Sequence, residues 1–122
     1  MADAGLWIAW GIPTRGRETQ ALDLFRESLE GYGAELLRDG RIERYDVAIL
    51  RPQNIELGGF VLVQGSKEQI DALRRDEDFQ QFVNHIQLVA DRVGMVDAWV
   101  NDGLEEAFGL YERALQKAGI SS

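Results

Sequence analysis

Close to its start the chain carries an unbroken apolar run, Leu6-Trp7-Ile8-Ala9-Trp10, closed by Gly11 and Pro13. A run this short, with aromatic and β-branched residues, predicts a buried strand and not a helix. From about Arg17 the pattern changes. Leu22, Phe25, Leu29 and Tyr32 recur every three or four residues, which is one face of a helix, and Gly31 and Gly33 are expected to end it. Asp39-Gly40 marks a turn. Across Arg41 to Leu50, Tyr45, Val47 and Ile49 alternate with Arg44, Asp46 and Ala48, the two-residue period of a half-buried strand. Pro52, Gln53 and Asn54 form a connecting loop to a second apolar run, Leu57 to Gly65, so the two strands read as a hairpin.

Ser66-Lys67-Glu68-Gln69 has the form of a capping box, in which the Ser hydroxyl and the Gln side chain each satisfy a free backbone N–H. The short helix it opens turns Ile70 and Leu73 inward. Asp76 or Asp78 restarts a longer helix with Phe79, Phe82, Ile86, Val89 and Val93 inward, closing at Gly94. Met95 to Val100, with Trp99, gives a fourth strand, stopped by Asn101-Asp102-Gly103. Asp102 with Glu105 repeats the capping pattern ahead of a terminal helix, Asp102 to Ala118, whose apolar stripe is Leu104, Phe108, Tyr111 and Leu115. The order is strand, helix, strand, strand, helix, strand, helix. One domain is expected over residues 1–122, its core over about 6–100 and the extra helix over about 102–118.

Strand-helix-strand units cross over in the right-handed sense, so both crossover helices fall on one face of the sheet. The fold class that follows is α+β: a ferredoxin-like βαββαβ sandwich with the first and third strands central. Charge agrees, since the central runs are nearly free of it while the outer strands carry Arg44, Asp46 and Asp97. Both faces of the central strands are apolar. Leu6, Ile8 and Trp10 oppose Trp7 and Ala9, and Phe60 and Leu62 oppose Val61 and Val63. Two helices cover only one face. Another subunit, the terminal helix or a ligand must cover the other, and a two-fold dimer pressing two sheets together is the simplest solution.

This order, the helix entry Pro13-Thr14-Arg15-Gly16-Arg17-Glu18 and the Asp78-Phe79 start in the second crossover resemble the dimeric α+β barrel superfamily over roughly Leu6 to Val100. The resemblance implies a homodimer in which two sheets close a barrel around a pocket. It implies no single chemistry, because such proteins include cofactor-free monooxygenases of polyketide-like substrates, haem-degrading enzymes, small isomerases and proteins with no assigned activity.

Composition narrows the chemistry further. A formal charge of −8 argues against nucleic acid and anionic membranes, which are held by clustered Lys and Arg. The third strand, Gly59-Phe60-Val61-Leu62-Val63, also lacks the basic residue and the stacking aromatics of RNA-recognition domains. Zero cysteines exclude disulfides, thiolate metal sites and Cys nucleophiles. The apolar runs are too short for a bilayer, and the first residues lack the features of a signal peptide, so a cytoplasmic location is expected.

His85, the only histidine, is the only possible imidazole acid, base or ligand; at the edge of its helix's apolar face it reads first as a partly buried histidine with a polar partner. Asp76-Glu77-Asp78 lacks the glycine and spacing of a calcium loop and reads as a helix start, so neither metal nor cofactor is expected. Asp46 and Asp97 lie within strands: facing a pocket, either becomes a candidate base, and facing outward it blunts an edge. Trp10, Tyr45, Phe60, Gln64 and Trp99 are the candidate pocket lining, suited to a planar organic ligand. Gly58-Gly59 marks a bulge or close approach, and Arg15-Gly16-Arg17 an ordinary solvated loop.

Three functions stay open. The first is a homodimer that binds a small apolar or aromatic molecule. The second is a cofactor-free monooxygenase or isomerase, and the third is a structural or regulatory dimerisation module.

Overall fold

The first apolar run forms strand β1 (Ala4–Trp10), with Leu6 and Ile8 fully buried. The computed structural model describes residues 2–53 and 56–120; Asn54 and the side chain of Leu29 lie outside that description. The remaining strands are β2 (Arg44–Ile49), β3 (Gly59–Gly65) and β4 (Gly94–Trp99), in one antiparallel sheet of order β2-β3-β1-β4. The two nearly charge-free strands are central, as right-handed crossovers require. The fold is ferredoxin-like.

Register assigns the faces. Leu6 pairs with Val63, Ile8 with Val61 and Tyr45 with Val63, and these side chains meet the helices. Trp7 pairs with Leu62 and with Val96, Ala9 with Phe60, and Asp46 with Leu62, so these occupy the opposite face.

Helix α1 (Glu18–Glu27) does not stop at the glycines. It widens into a π-helical turn, Ser28–Tyr32, and resumes as α2 (Gly33–Arg38). Gly33 has an ordinary helical φ of −61°, and its role is spatial: a Cβ there would lie 2.8 Å from the ring of Tyr45. The chain breaks later, at Gly40, whose φ of +71° closes a Schellman motif with Gly40 N–H donating to Leu37 and Arg41 N–H to Leu36.

In α3 (Lys67–Arg75) the capping box is present, with Gln69 N–H donating to Ser66 Oγ at 3.1 Å and Ser66 N–H to Gln69 Oε1 at 2.7 Å. Asp76 caps α4 (Glu77–Val89) by accepting from Phe79 N–H at 2.9 Å. This helix ends at Val89, well short of Gly94, because a long-range clasp captures the chain. Asp91 Oδ1 accepts from Ile12 N–H at 2.7 Å, Gly11 N–H donates to the Asp91 carbonyl, and Ala90 bridges Pro13. Gly11 is required there, since a Cβ would fall 2.1 Å from Asp91 Oδ1. The close approach expected at Gly58 is also real: a Cβ would sit 1.8 Å from the Gly11 carbonyl oxygen.

Helix α5 (Gly103–Lys117) starts without a side-chain cap, so the Asp102–Glu105 pattern is not used. Asp102 already has helical dihedrals, and backbone turns from Val100, Asn101 and Asp102 close the helix start instead. α5 packs against β4, is tied to α3 by Lys67–Glu106 at 2.8 Å, and leaves the second face of β1 and β3 uncovered. Its stripe residues Leu104, Phe108 and Tyr111 are exposed. Among the described residues, no helix is long and apolar enough to cross a membrane.

Candidate functional site

Between the helices and the inner face of the sheet lies a cavity of about 110 Å³. Its floor is Trp10 from β1, Tyr45 and Val47 from β2, and Val61 and Val63 from β3. Its roof is Leu24 and Phe25 of α1, Ser28 and Tyr32 of the π-helical turn, and Phe79, Phe82 and Ile86 of α4. Aromatic contacts fix the walls: Trp10 meets Phe25 edge-on at 6.2 Å, and Tyr32 lies 5.2 Å from Phe82. Among the described residues no charged side chain lines the cavity.

The polar groups of the cavity are therefore few. Ser28 Oγ donates to the Leu24 carbonyl at 2.7 Å and is satisfied within its own helix. The Tyr32 hydroxyl is buried and has no hydrogen-bond partner among the described residues. Burial pushes its pKa up to about 12, and Asp76 adds to the effect, with Asp78 and Glu35 behind it and Arg41 opposing. Arg41 itself is paired with Asp76 at 3.1 Å. Tyr32 is therefore a neutral phenol at ordinary pH.

The sequence candidates divide between several places. Trp10 and Tyr45 line the cavity. Phe60 and Gln64 are on the opposite face, where Phe60 lies 5.8 Å from Trp7. There a polar chain crosses the sheet: Arg44 Nε donates to Asp46 Oδ2 at 2.9 Å, Gln64 Nε2 donates to the same oxygen at 3.1 Å, and Asn101 Nδ2 donates to Gln64 Oε1 at 3.1 Å. Asp46 is thus engaged on the uncovered face. Asp97 is on the helix side of edge strand β4, paired with Arg74. Trp99 is exposed beside it, in a shallow second hollow of about 260 Å³ shared with Asp3, Lys67 and Glu106.

His85 departs from expectation. It is exposed on α4 and makes no hydrogen bond or ion pair among the described residues, because one position before buried Ile86 a helical side chain is turned about 100° away. Among the described residues no group of three or more His, Asp or Glu is placed to hold a metal ion. Tyr32 was legible in the sequence only as an inward-facing residue. Its importance comes from the π-helical turn, and the one sequence signal for that turn is a pair of glycines inside a helical pattern.

No family model matches the chain, and no curated protein matches it. Solved structures do. A dimeric protein of unknown function and ferredoxin-like fold from Bacteroides fragilis is similar over 80% of this chain and 96% of its own, at 9% identity and a TM-score of 0.58. A dimeric ferredoxin-like protein of unknown function from a Jannaschia species matches over 80% and 99%, at 14% identity and a TM-score of 0.59. SnoaB, a cofactor-independent oxygenase from Streptomyces nogalater, solved as a point mutant, matches over 82% and 95%, at 9% identity and a TM-score of 0.57. At these identities the likeness speaks for architecture. The chain has the ferredoxin-like α+β fold of these structures.

Proposed function

We propose that the chain works as a homodimer in which each protomer binds a small apolar or aromatic molecule between its helices and its sheet. The observation that carries this reading is the cavity itself, walled by Trp10, Phe25, Tyr45 and Phe82 with almost no polar atoms. Such a site excludes phosphates and sugars, whose polar groups would lose water without replacement. Dimerisation is supported by the uncovered face, where Trp7, Leu62 and Val96 form an apolar row across three strands, and by two similar structures described as dimeric. The cavity counts against a purely structural module, which has no use for it.

Cofactor-free oxygenation is the second reading, favoured by the likeness to SnoaB. No carboxylate or imidazole lines the cavity among the described residues, so such chemistry would depend on the substrate's own electrons in a water-poor site. Titration with single-ring aromatics, followed by tryptophan fluorescence, tests the binding reading. Saturable quenching that is lost in Trp10→Phe supports it. A flat response to every compound contradicts it. Oxygen uptake on adding a bound, electron-rich ligand separates the second reading from the first.

A further inference from the structure

Helix α5 has an apolar face that the described residues of its own chain leave largely open. Leu104, Phe108, Tyr111 and Leu115 follow one another at four, three and four positions, so they share one side of the helix. Leu115 is half-buried, but Leu104, Phe108 and Tyr111 are 43%, 56% and 68% exposed, and within the helix only Gly103 is buried. A lone helix of 15 residues is marginal in water and takes its stability from packing an apolar face. We infer that the stripe of α5 is covered by the second copy of this chain, in one continuous interface with the uncovered face of the sheet. This rests on the dimer reading above and deepens it by adding a second element to the contact.

Three observations name the occupant. The first is continuity. Asn101, which leads into α5, has a φ of +50° and donates through Nδ2 to Gln64 Oε1 at 3.1 Å, so the helix is rooted on the uncovered face. On that face Val96 of β4, 55% exposed, carries the apolar row Trp7-Leu62-Val96 to the edge strand that the helix follows. The second is area. A stable dimer needs about 800 Å² from each partner, and Trp7, Phe60 and Leu62, half-buried already, leave too little of it between them. Phe108 and Tyr111 add more than half of two aromatic side chains of about 150–250 Å² each. The third is charge. In α5 the acids Glu105, Glu106 and Glu112 outnumber Arg113 and Lys117, in a chain of formal charge −8, whereas helices that lie on lipid carry Lys and Arg beside their apolar face.

Sedimentation equilibrium of the whole chain, of Phe108→Glu and of Gln116→Glu tests this. Each variant adds one negative charge to the same helix through a residue that favours helices, the first on the stripe and the second on the polar side. Phe108→Glu is expected to weaken self-association at least roughly thirtyfold, the usual loss when an aromatic anchor leaves an interface. Circular dichroism and urea unfolding of the dilute protomer should stay unchanged, because Phe108 is exposed there. Gln116→Glu should associate as the unaltered chain does. Undiminished association of Phe108→Glu, or equal weakening by both variants, would overturn the inference while leaving the dimer reading to stand. An unaltered chain that is monomeric at micromolar concentration would overturn that reading and this inference with it.

Discussion

The two faces of the sheet are built from the same kind of residue and meet different fates. On the helix side, Leu6 and Ile8 of β1 and Val63 of β3 are buried with Ile70 and Leu73 of α3 and Phe79 and Ile86 of α4, and the cavity opens beside this cluster. On the other side, Trp7, Phe60 and Leu62 stand on the same strands half-buried, and no helix of the described residues packs closely on them. Apolar content alone therefore does not define a core. What defines it is the number of layers the chain can supply, and this chain supplies one. The helix-side face is completed within the protomer, and the other is the face through which the proposed dimer would form.

The contrast can be broken most forcefully in the core. Phe79→Ala, at a site 1% exposed, is expected to cost about 3–5 kcal/mol in urea unfolding, for lost transfer energy plus the cavity left behind. Leu62→Asp on the opposite face should do the reverse of this: unfolding of dilute protomers changes little, while sedimentation shows self-association weakened by at least roughly a hundredfold, as for an unpaired charge buried at an interface. Ser66→Ala, which removes the cap of α3, should cost about 1 kcal/mol and leave both faces working.

At Tyr32 the effect is small near neutral pH and shows itself only in alkali. Its folded-state pKa is raised from 10.0 to about 12, so the folded chain holds this proton more tightly than the unfolded one. Its contribution is complete below about pH 10 and is lost as pH rises toward 12. Tyr32→Phe should flatten that alkaline decline, and near neutral pH it should stabilise slightly by removing an unpartnered hydroxyl.

Much of the architecture was legible in the sequence because local rules decide it. The charge-free runs and the handedness of crossovers are enough to give the strand order, whereas the facing of each strand comes only from the observed register. The capping box at Ser66 needs only four consecutive residues. What was not legible depends on residues distant in sequence. Gly33 looks like a helix end until the ring of Tyr45 is set against it, and the end of α4 is decided by Asp91 reaching Ile12, 79 positions away. The site shows the same limit. Trp10 and Tyr45 share the phase of the helix-facing residues and enter the cavity, while Phe60 and Gln64 have the opposite phase and cannot. Tyr32 gains its meaning from a turn that no local preference announces.

Sedimentation equilibrium of the full chain at micromolar concentration bears most directly on the claim that a second copy completes the sheet. A species of two chains, dissociated by Leu62→Asp without loss of secondary structure, is the predicted result. A stable monomer whose Trp7 and Phe60 face remains open to water would contradict it.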